Sequence, residues 1–458
     1  MGRMIVSVQK SILVGEVSAP ASKSYTHRAV FAAALGDGKC CLSNCLISED
    51  TRSTMKACRL FGGSFEEISD KIYVSGFGKR LKVPDEIVDV GNSGTTLRFM
   101  TALSALCGSE ITLLGDASLQ KRPNTPLLET LQKMGARAYS KNNNGCAPLV
   151  VEGKIKPGIY SIDGSVSSQF ISALLLVCPL LDGPTELSIH GELKSKPYVD
   201  ITMDVAKAAG IEILEQIEQT DPTDPTDPTD QNKNSVSAKT GGKISYKIKG
   251  NQAYHLENYT VPGDFSSVSY VLAAAAMISG SDVDVKNLFP SAQGDLAIIH
   301  ILKEMGADIS WDKKEGTVHV SNSGKTLTGI CVDAGEIPDL VPTLAVLGTF
   351  SEGRMEIKNA GHVRFKETDR LHAMATELSK MGAEIIETAD GLIISGKGGA
   401  GLFGANLCGW DDHRIVMALF VAGLMTGGTT IDTAESVRIS YPRFFEDMKK
   451  IGANAIEK

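Results

Sequence analysis

LKEMGADI (Leu302–Ile309) returns 76 residues later as LSKMGAEI (Leu378–Ile385). Each copy reads as a helix tail with a lysine, a Gly-Ala step, and a β-like start. Glycine just past a helix end takes the left-handed conformation that closes the helix, and lysine there meets the negative end of its dipole. A helix-like segment ending in glycine and followed by a β-like run recurs in RLFGGSF (Gly62), LQKMGARA (Gly135), VAKAAGIEI (Gly210) and MKKIGANA (Gly452), the successive glycines lying 73, 75, 96, 76 and 70 residues apart. The one long gap holds DPTDPTDPTD (Asp221–Asp230) and the polar QNKNSVSAKTGG, read together as a surface insertion over 221–242. Units of this length exceed the ~20–50 residues of solenoid repeats. Each has room for several strands and one or two helices. Six duplicated units of mixed α/β (α+β) type imply two pseudo-symmetric domains of three units, with a ligand site in the cleft between them.

Composition sets outer limits. A chain of 458 residues, 42% hydrophobic and 22% charged, is a globular protein with large cores. Its longest apolar runs, Ile171–Leu181 and Val271–Ile278, are too short to span a bilayer. The start, MGRMIVSVQK, has no long apolar stretch of a secretory leader, and none of the nine cysteines forms a C-x-x-C pair. The expectation is a cytoplasmic protein with reduced thiols, no membrane partner and no metal, although Cys40, Cys41 and Cys45 cluster. A net charge of −8 argues against nucleic acid. It does not argue against a small anion, since one charge pair at 4 Å is worth about 4 kcal/mol at an effective dielectric of 20.

Several stretches mix cations with small polar residues at helix starts. PASKSYTHRAV (Pro20–Val30) puts Lys23, Ser24 and Arg28 in the first turns of a helix, unfavourable against the dipole unless an anion sits there. A solvated basic face would read the same way. GNSGTTLR (Gly91–Arg98) lacks the lysine of a nucleotide P-loop, yet the amides around Asn92–Thr95 can form an anion nest, as can an ordinary glycine turn. QKRPN carries Lys121 and Arg122. VSSQF sets Ser167, Ser168 and Gln169 before an apolar helix, and SKPYVD adds Ser195 and Tyr198. In GEIPDLVP, Asp339 reads either as a helix cap or as a functional acid. In FKETDRL, Lys366 and Arg370 are four apart on one helical face, with Glu367 between them. DDHRIV places Asp412, His413 and Arg414 at a helix start, without further ligands at metal spacing. Many cations and a few isolated carboxylates suit the binding of two anions while acids move protons.

Taken in order, P-A-S-K-S-x-T-H-R, G-N-S-G-T-T-x-R, K-R-P, S-S-Q-F, S-K-P-Y, P-D, K-E-T-D-R and D-D-H-R resemble the 5-enolpyruvylshikimate-3-phosphate synthases, from about residue 5 to 450. The resemblance implies transfer of the enolpyruvyl group of phosphoenolpyruvate to the 5-hydroxyl of shikimate 3-phosphate, on the way to chorismate. It implies two domains, each of three βαβαββ units in an inside-out, barrel-like packing. We expect them over 1–20 with 260–458, and over 21–259. Shikimate 3-phosphate is expected to meet Lys23, Ser24, Arg28, Ser167, Ser168, Gln169, Ser195, Tyr198, Asp339 and Lys366. Phosphoenolpyruvate is expected to meet Lys23, Asn92, Gly94, Thr95, Arg122, Gln169, Arg370 and Arg414. Asp339 is implied as acceptor of the hydroxyl proton, Glu367 as the acid at the methylene carbon, and Lys23 as helper of the leaving phosphate. No cofactor and no metal is implied, and the chain is read as a monomer. Gly94 is implied to leave room for the inhibitor glyphosate. Two positions depart from the family: His362 replaces an asparagine, and Ile439 stands near an expected lysine, beside an Arg438 that points away if the segment is extended. The UDP-N-acetylglucosamine enolpyruvyl transferases are the nearest rival, but they carry a loop cysteine that DASLQKRPN lacks. A hinged, non-catalytic anion-binding protein is the rival of another class.

Overall fold

The structure is a computed structural model that describes residues 3–68, 71–78, 80–218 and 243–458. The 221–242 insertion lies outside the described residues. The unit from 88 to 152 shows the plan. Strand Val88–Asp89, helix Gly94–Ser104 and strand Ile111–Leu114 come first, followed by helix Thr125–Lys133 and the strand pair Arg137–Ser140 and Leu149–Glu152. The first two strands are parallel, because a helix crosses between them, while the last strand pairs antiparallel with both its neighbours. Numbered along the unit, the sheet order is 1-2-4-3, and among the described residues six four-stranded sheets share it, with Val6–Val8 filling the fourth place in the last unit's sheet. These sheets remain separate and do not close into a barrel.

The six glycines end the second helix of each unit. Their φ angles lie between +79° and +110°. Each donates its backbone N–H to the carbonyl three residues back at 3.0 Å, from Gly62 to Arg59 through Gly452 to Lys449. A side chain at these positions would be strained, so the repeat read in the sequence is a backbone requirement.

Strands are exchanged where the chain changes lobe. Asn258–Thr260 supplies the first strand for the unit of helix Lys23–Leu35, with Asn258 opposite Cys41. Val14–Ser18 does the same for the unit of helix Phe265–Met277, with Asp282 opposite Val14. The two crossing segments run side by side, Ser22 N–H donating to Pro262 O and Asp264 N–H to Pro20 O, both at 2.8 Å. Two hydrophobic cores result. One gathers Val6–Ala19 with Phe265–Ala455, and the other gathers Ala21–Val261. The first helix of each unit is buried almost all round, as in Val341–Phe350 and His413–Thr426, while the second helices keep an exposed face. No helix among the described residues is long and apolar enough to cross a membrane. No group of His, Cys, Asp or Glu among them is placed to hold a metal.

Candidate active site

The buried helices point their N-termini at the gap between the two cores. Ser22, Ser93 and Ser167 cap helices on one side, accepting from the N–H groups of Tyr25, Thr96 and Gln169. Asp264 and Asp412 cap helices on the other side. Helix N-termini are the positive ends of aligned peptide dipoles, and four of these helix starts, at Lys23, Gly94, Ser168 and His413, line the cleft and attract anions before any side chain is counted. The cleft lining then adds Lys23, Arg28, Arg98, Arg122, Lys366, Arg370 and Arg414, against the carboxylates of Asp50, Asp339 and Glu367. The local balance is positive in a chain of net charge −8.

The cations are held in place by the fold. Arg28 is buried and donates to Thr202 Oγ1 at 2.6 Å, Tyr198 O at 2.9 Å and Ser172 Oγ at 3.2 Å, with no carboxylate paired to it among the described residues. Burial lowers its pKa to about 10, so it stays charged at neutral pH. Arg98 donates to Gly94 O and Pro123 O, and burial with the Arg122 charge lowers it to about 9. Lys23 Nζ pairs with Asp50 Oδ2 at 3.0 Å. Arg122 is braced at 3.1 Å by Asn92 Oδ1 and by Ser118 Oγ. Gln169 Nε2 donates to Thr95 Oγ1, also at 3.1 Å.

The acids meet these cations where the lobes touch. Asp339 accepts from Arg370 Nη1 at 2.9 Å, Arg414 Nη2 at 2.7 Å and the Tyr198 hydroxyl at 2.8 Å. Glu367 accepts from Arg370 Nη2 at 2.7 Å and lies 3.8 Å from Arg122 Nη1, across the cleft. Burial alone would raise both carboxyls. Arg414, Lys366 and Arg370 outweigh it at Asp339, and Arg370 and Arg122 outweigh it at Glu367, holding both well below the usual carboxylate range. Arg370 is itself anchored by Asp412 Oδ2 at 2.9 Å. Ser195 takes the left-handed conformation (φ +58°), and its N–H reaches Gly335 O across the cleft at 3.0 Å. Strain at a non-glycine residue is tolerated where a site requires it.

Of the residues singled out from the sequence, Lys23, Ser24, Arg28, Gly94, Thr95, Arg122, Ser167, Ser168, Gln169, Ser195, Tyr198, Asp339, Lys366, Glu367, Arg370 and Arg414 all line this one cleft. Asn92 does not; it stands behind Arg122 and also donates to Asp116. Three local readings are corrected. Lys366 and Arg370 do not share a helical face, because Asp369 caps the helix and Arg370 is its first residue. Asp339 caps no helix: it lies in the short turn Pro338–Leu340, and its oxygens go to arginines. The Ala434–Ile439 segment is a 3-10 helix, not extended, and its Arg438 is exposed outside the cleft. Sequence reading passed over Asp50, Arg98 and His413 as lining residues. Arg98 was visible as the last residue of the quoted glycine loop; Asp50 carried no local signal. His362 also lines the cleft, its Nε2 3.4 Å from Ser195 Oγ. Burial and nearby Lys366 lower it to about 4, so it is neutral.

This arrangement can grip two phosphate- or carboxylate-bearing molecules and keep two carboxyls beside them. Comparison with known proteins agrees. A family model described as EPSP synthase (3-phosphoshikimate 1-carboxyvinyltransferase) matches residues 8–448. A protein of Methanococcoides burtonii named 3-phosphoshikimate 1-carboxyvinyltransferase is 54% identical over 453 residues, covering 99% of each chain. One of the same name from Methanosarcina acetivorans is 51% identical over 449 residues, covering 98% of each. The solved EPSP synthase of Acinetobacter baumannii superposes with a TM-score of 0.80 at 28% identity, covering 100% of both chains. With the same six-unit architecture and near-complete coverage by sequence and by structure, the chain belongs to the EPSP synthase (3-phosphoshikimate 1-carboxyvinyltransferase) family.

Proposed function

We propose that the chain transfers the enolpyruvyl group of phosphoenolpyruvate to the 5-hydroxyl of shikimate 3-phosphate, releasing phosphate. The observation that carries this reading is Glu367, a half-buried carboxylate 2.7 Å from Arg370 and 3.8 Å from Arg122 in a cleft richer in cations than acids. Anion binding alone gains nothing from a carboxylate there. Protonating a carbon atom requires an acid, and a protonated carboxyl is one. In our reading the Glu367 carboxyl gives its proton to the methylene carbon, leaving a cation at the neighbouring carbon. The 5-hydroxyl oxygen bonds to that carbon and its proton goes to Asp339. The carbon–oxygen bond to phosphate then breaks, phosphate departs beside Lys23, and Glu367 takes a methyl proton back as the double bond re-forms. The acceptor lies against Ser24, Arg28, Ser167, Ser168, Gln169, Ser195, Tyr198 and Lys366. The donor lies against Gly94, Thr95, Arg122, Arg370 and Arg414, with Asn92 bracing the loop. Charges fixed before the reaction stabilise a developing cation and a leaving phosphate without reorganisation.

A paired assay tests the reading. Shikimate 3-phosphate with phosphoenolpyruvate yields inorganic phosphate, and UDP-N-acetylglucosamine with phosphoenolpyruvate yields none. The reverse pattern overturns it. The rival transferase is disfavoured by the cleft lining itself, which contains no cysteine among the described residues. We take the domains to be 1–20 with 260–458 and 21–259, a division supported by the two separate cores. We read the chain as a monomer, and a cytoplasmic setting is supported by nine unpaired cysteines.

Gly94 gives a second prediction. A Cβ there would lie 2.8 Å from Arg98 Nη1 and 3.3 Å from Arg122 Nη1. Both guanidinium groups are buried and hydrogen-bonded, so they yield mainly toward the donor pocket. Overpacking costs about 1–3 kcal/mol, which at about 1.4 kcal/mol per tenfold is roughly five- to a hundredfold in affinity. Gly94→Ala raises KM for phosphoenolpyruvate toward the low end of that range. It raises the inhibition constant of glyphosate, a longer anion, toward the high end. Equal shifts in the two constants contradict the assignment of Gly94 to this pocket.

A further inference from the structure

Asp295 lies behind the cleft, in the turn Gly294–Leu296 that leads into helix Ala297–Glu304, and lines none of the substrate space. It is 4% exposed. Among the described residues no Lys, Arg or His forms an ion pair with it, and its Oδ1 has no hydrogen-bond partner. Its Oδ2 lies 3.4 Å from the Tyr198 hydroxyl, which comes from the opposite lobe and sits 2.8 Å from Asp339 Oδ2. A phenol has one proton, and the shorter contact takes it, so Tyr198 donates to Asp339. An ionised Asp295 would then face the lone pairs of the phenol oxygen, with a second carboxylate close by. Burying a charge without a partner is costly enough that the group neutralises instead.

We propose that Asp295 is a positioning residue: its carboxyl keeps a proton and donates it to Tyr198, which donates to Asp339, one ordered chain that fixes Asp339 toward the acceptor hydroxyl. Every polar atom of the chain except Asp295 Oδ1 is then satisfied, and successive donors polarise one another. The surroundings agree. Burial first, then the Asp339 charge and Asp264, raise Asp295 to about 8, while Arg414 and Lys366 pull the other way. With its pKa above that of a free carboxyl, the group holds its proton through neutral pH and loses it as pH rises through about 8. Ionisation there breaks the chain. The role rests on Asp339 being the base.

The test has two readouts. Infrared difference spectra of wild type minus Asp295→Asn, on the full ligand-free chain, contain the carbonyl band of a protonated carboxyl at neutral pH, and the band vanishes above about pH 8. In turnover, wild-type kcat falls on an alkaline limb of about tenfold per pH unit, as loss of one proton requires. Asp295→Asn, whose amide donates as the acid does but does not ionise, stays within about threefold of wild type at neutral pH. It has no limb in that range. If that variant does not fold by circular dichroism, Tyr198→Phe serves: it lowers kcat and also removes the limb, since Asp295 no longer reaches Asp339. Absence of the band, a limb unchanged in either variant, or a collapse of Asp295→Asn activity at neutral pH overturns the proposal. An active Asp339→Asn enzyme instead overturns Asp339 as base, whatever the infrared band shows.

Discussion

Glu367→Gln lowers kcat for phosphate release by about 10²- to 10⁴-fold, the range of general acid–base catalysis, while shikimate 3-phosphate binds within about threefold of its wild-type affinity. The geometry gives the reason for the split. Glutamine keeps the volume and still accepts from Arg370, which is also held by Asp412 and Asp339. The cleft therefore keeps its shape and gains positive charge. What it loses, in the proposed mechanism, is a transferable proton. In the ligand-free cleft Arg370 and Arg122 outweigh burial and hold Glu367 ionised, a state in which it cannot act as an acid. Two arriving anions share those cations, and the carboxylate, now covered by them, then recovers a raised affinity for protons. Binding of both substrates, with a non-reacting analogue in place of the acceptor, is thus expected to take up about one proton per site in wild type and none in Glu367→Gln. An indicator dye in weak buffer measures it. Equal uptake in the two proteins would sink the assignment of Glu367 as the acid.

Much of the fold was legible because it is enforced locally. A glycine after each second helix is needed whatever lies around it, so the six glycines reveal the unit count by themselves. The exchange of strands was not legible. Asn258 pairs opposite Cys41 and Val14 opposite Asp282, and no short-range pattern announces partners more than two hundred residues apart. The site divides the same way. Lys23, Thr95 and Gln169 could be found because they stand at helix N-termini, where hydroxyls and cations have a local meaning. The helical face assumed for Lys366 and Arg370 failed because one residue between them, Asp369, caps the helix, which leaves Lys366 outside it and Arg370 as its first residue. Asp50 and Asp295 went unseen because each matters only through a partner from elsewhere in the chain, Lys23 for one and Tyr198 for the other.

Asp339→Asn is expected to stop the reaction at a different point. It lowers kcat by about 10²- to 10⁴-fold, since in the proposed mechanism the acceptor hydroxyl loses its base. KM for either anion does not rise, because Arg370, Arg414 and Lys366 lose a neutralising partner and the cleft becomes more positive. Glu367 remains 2.7 Å from Arg370 and can still protonate the methylene carbon. Without attack by the hydroxyl the cation returns its proton, and the methylene group exchanges hydrogen with solvent without forming product. In heavy water with shikimate 3-phosphate present, Asp339→Asn therefore incorporates deuterium into unreacted phosphoenolpyruvate, and Glu367→Gln does not, as read by mass spectrometry. Wild type should show little acid limb from Asp339. Burial raises its pKa, but Arg414, Lys366 and Arg370 hold it well below the usual range. The ionised form is then lost only as pH falls below that of a free aspartate, and so is the stability its ion pairs contribute. Deuterium in phosphoenolpyruvate with the glutamate variant but not the aspartate variant would exchange the two roles.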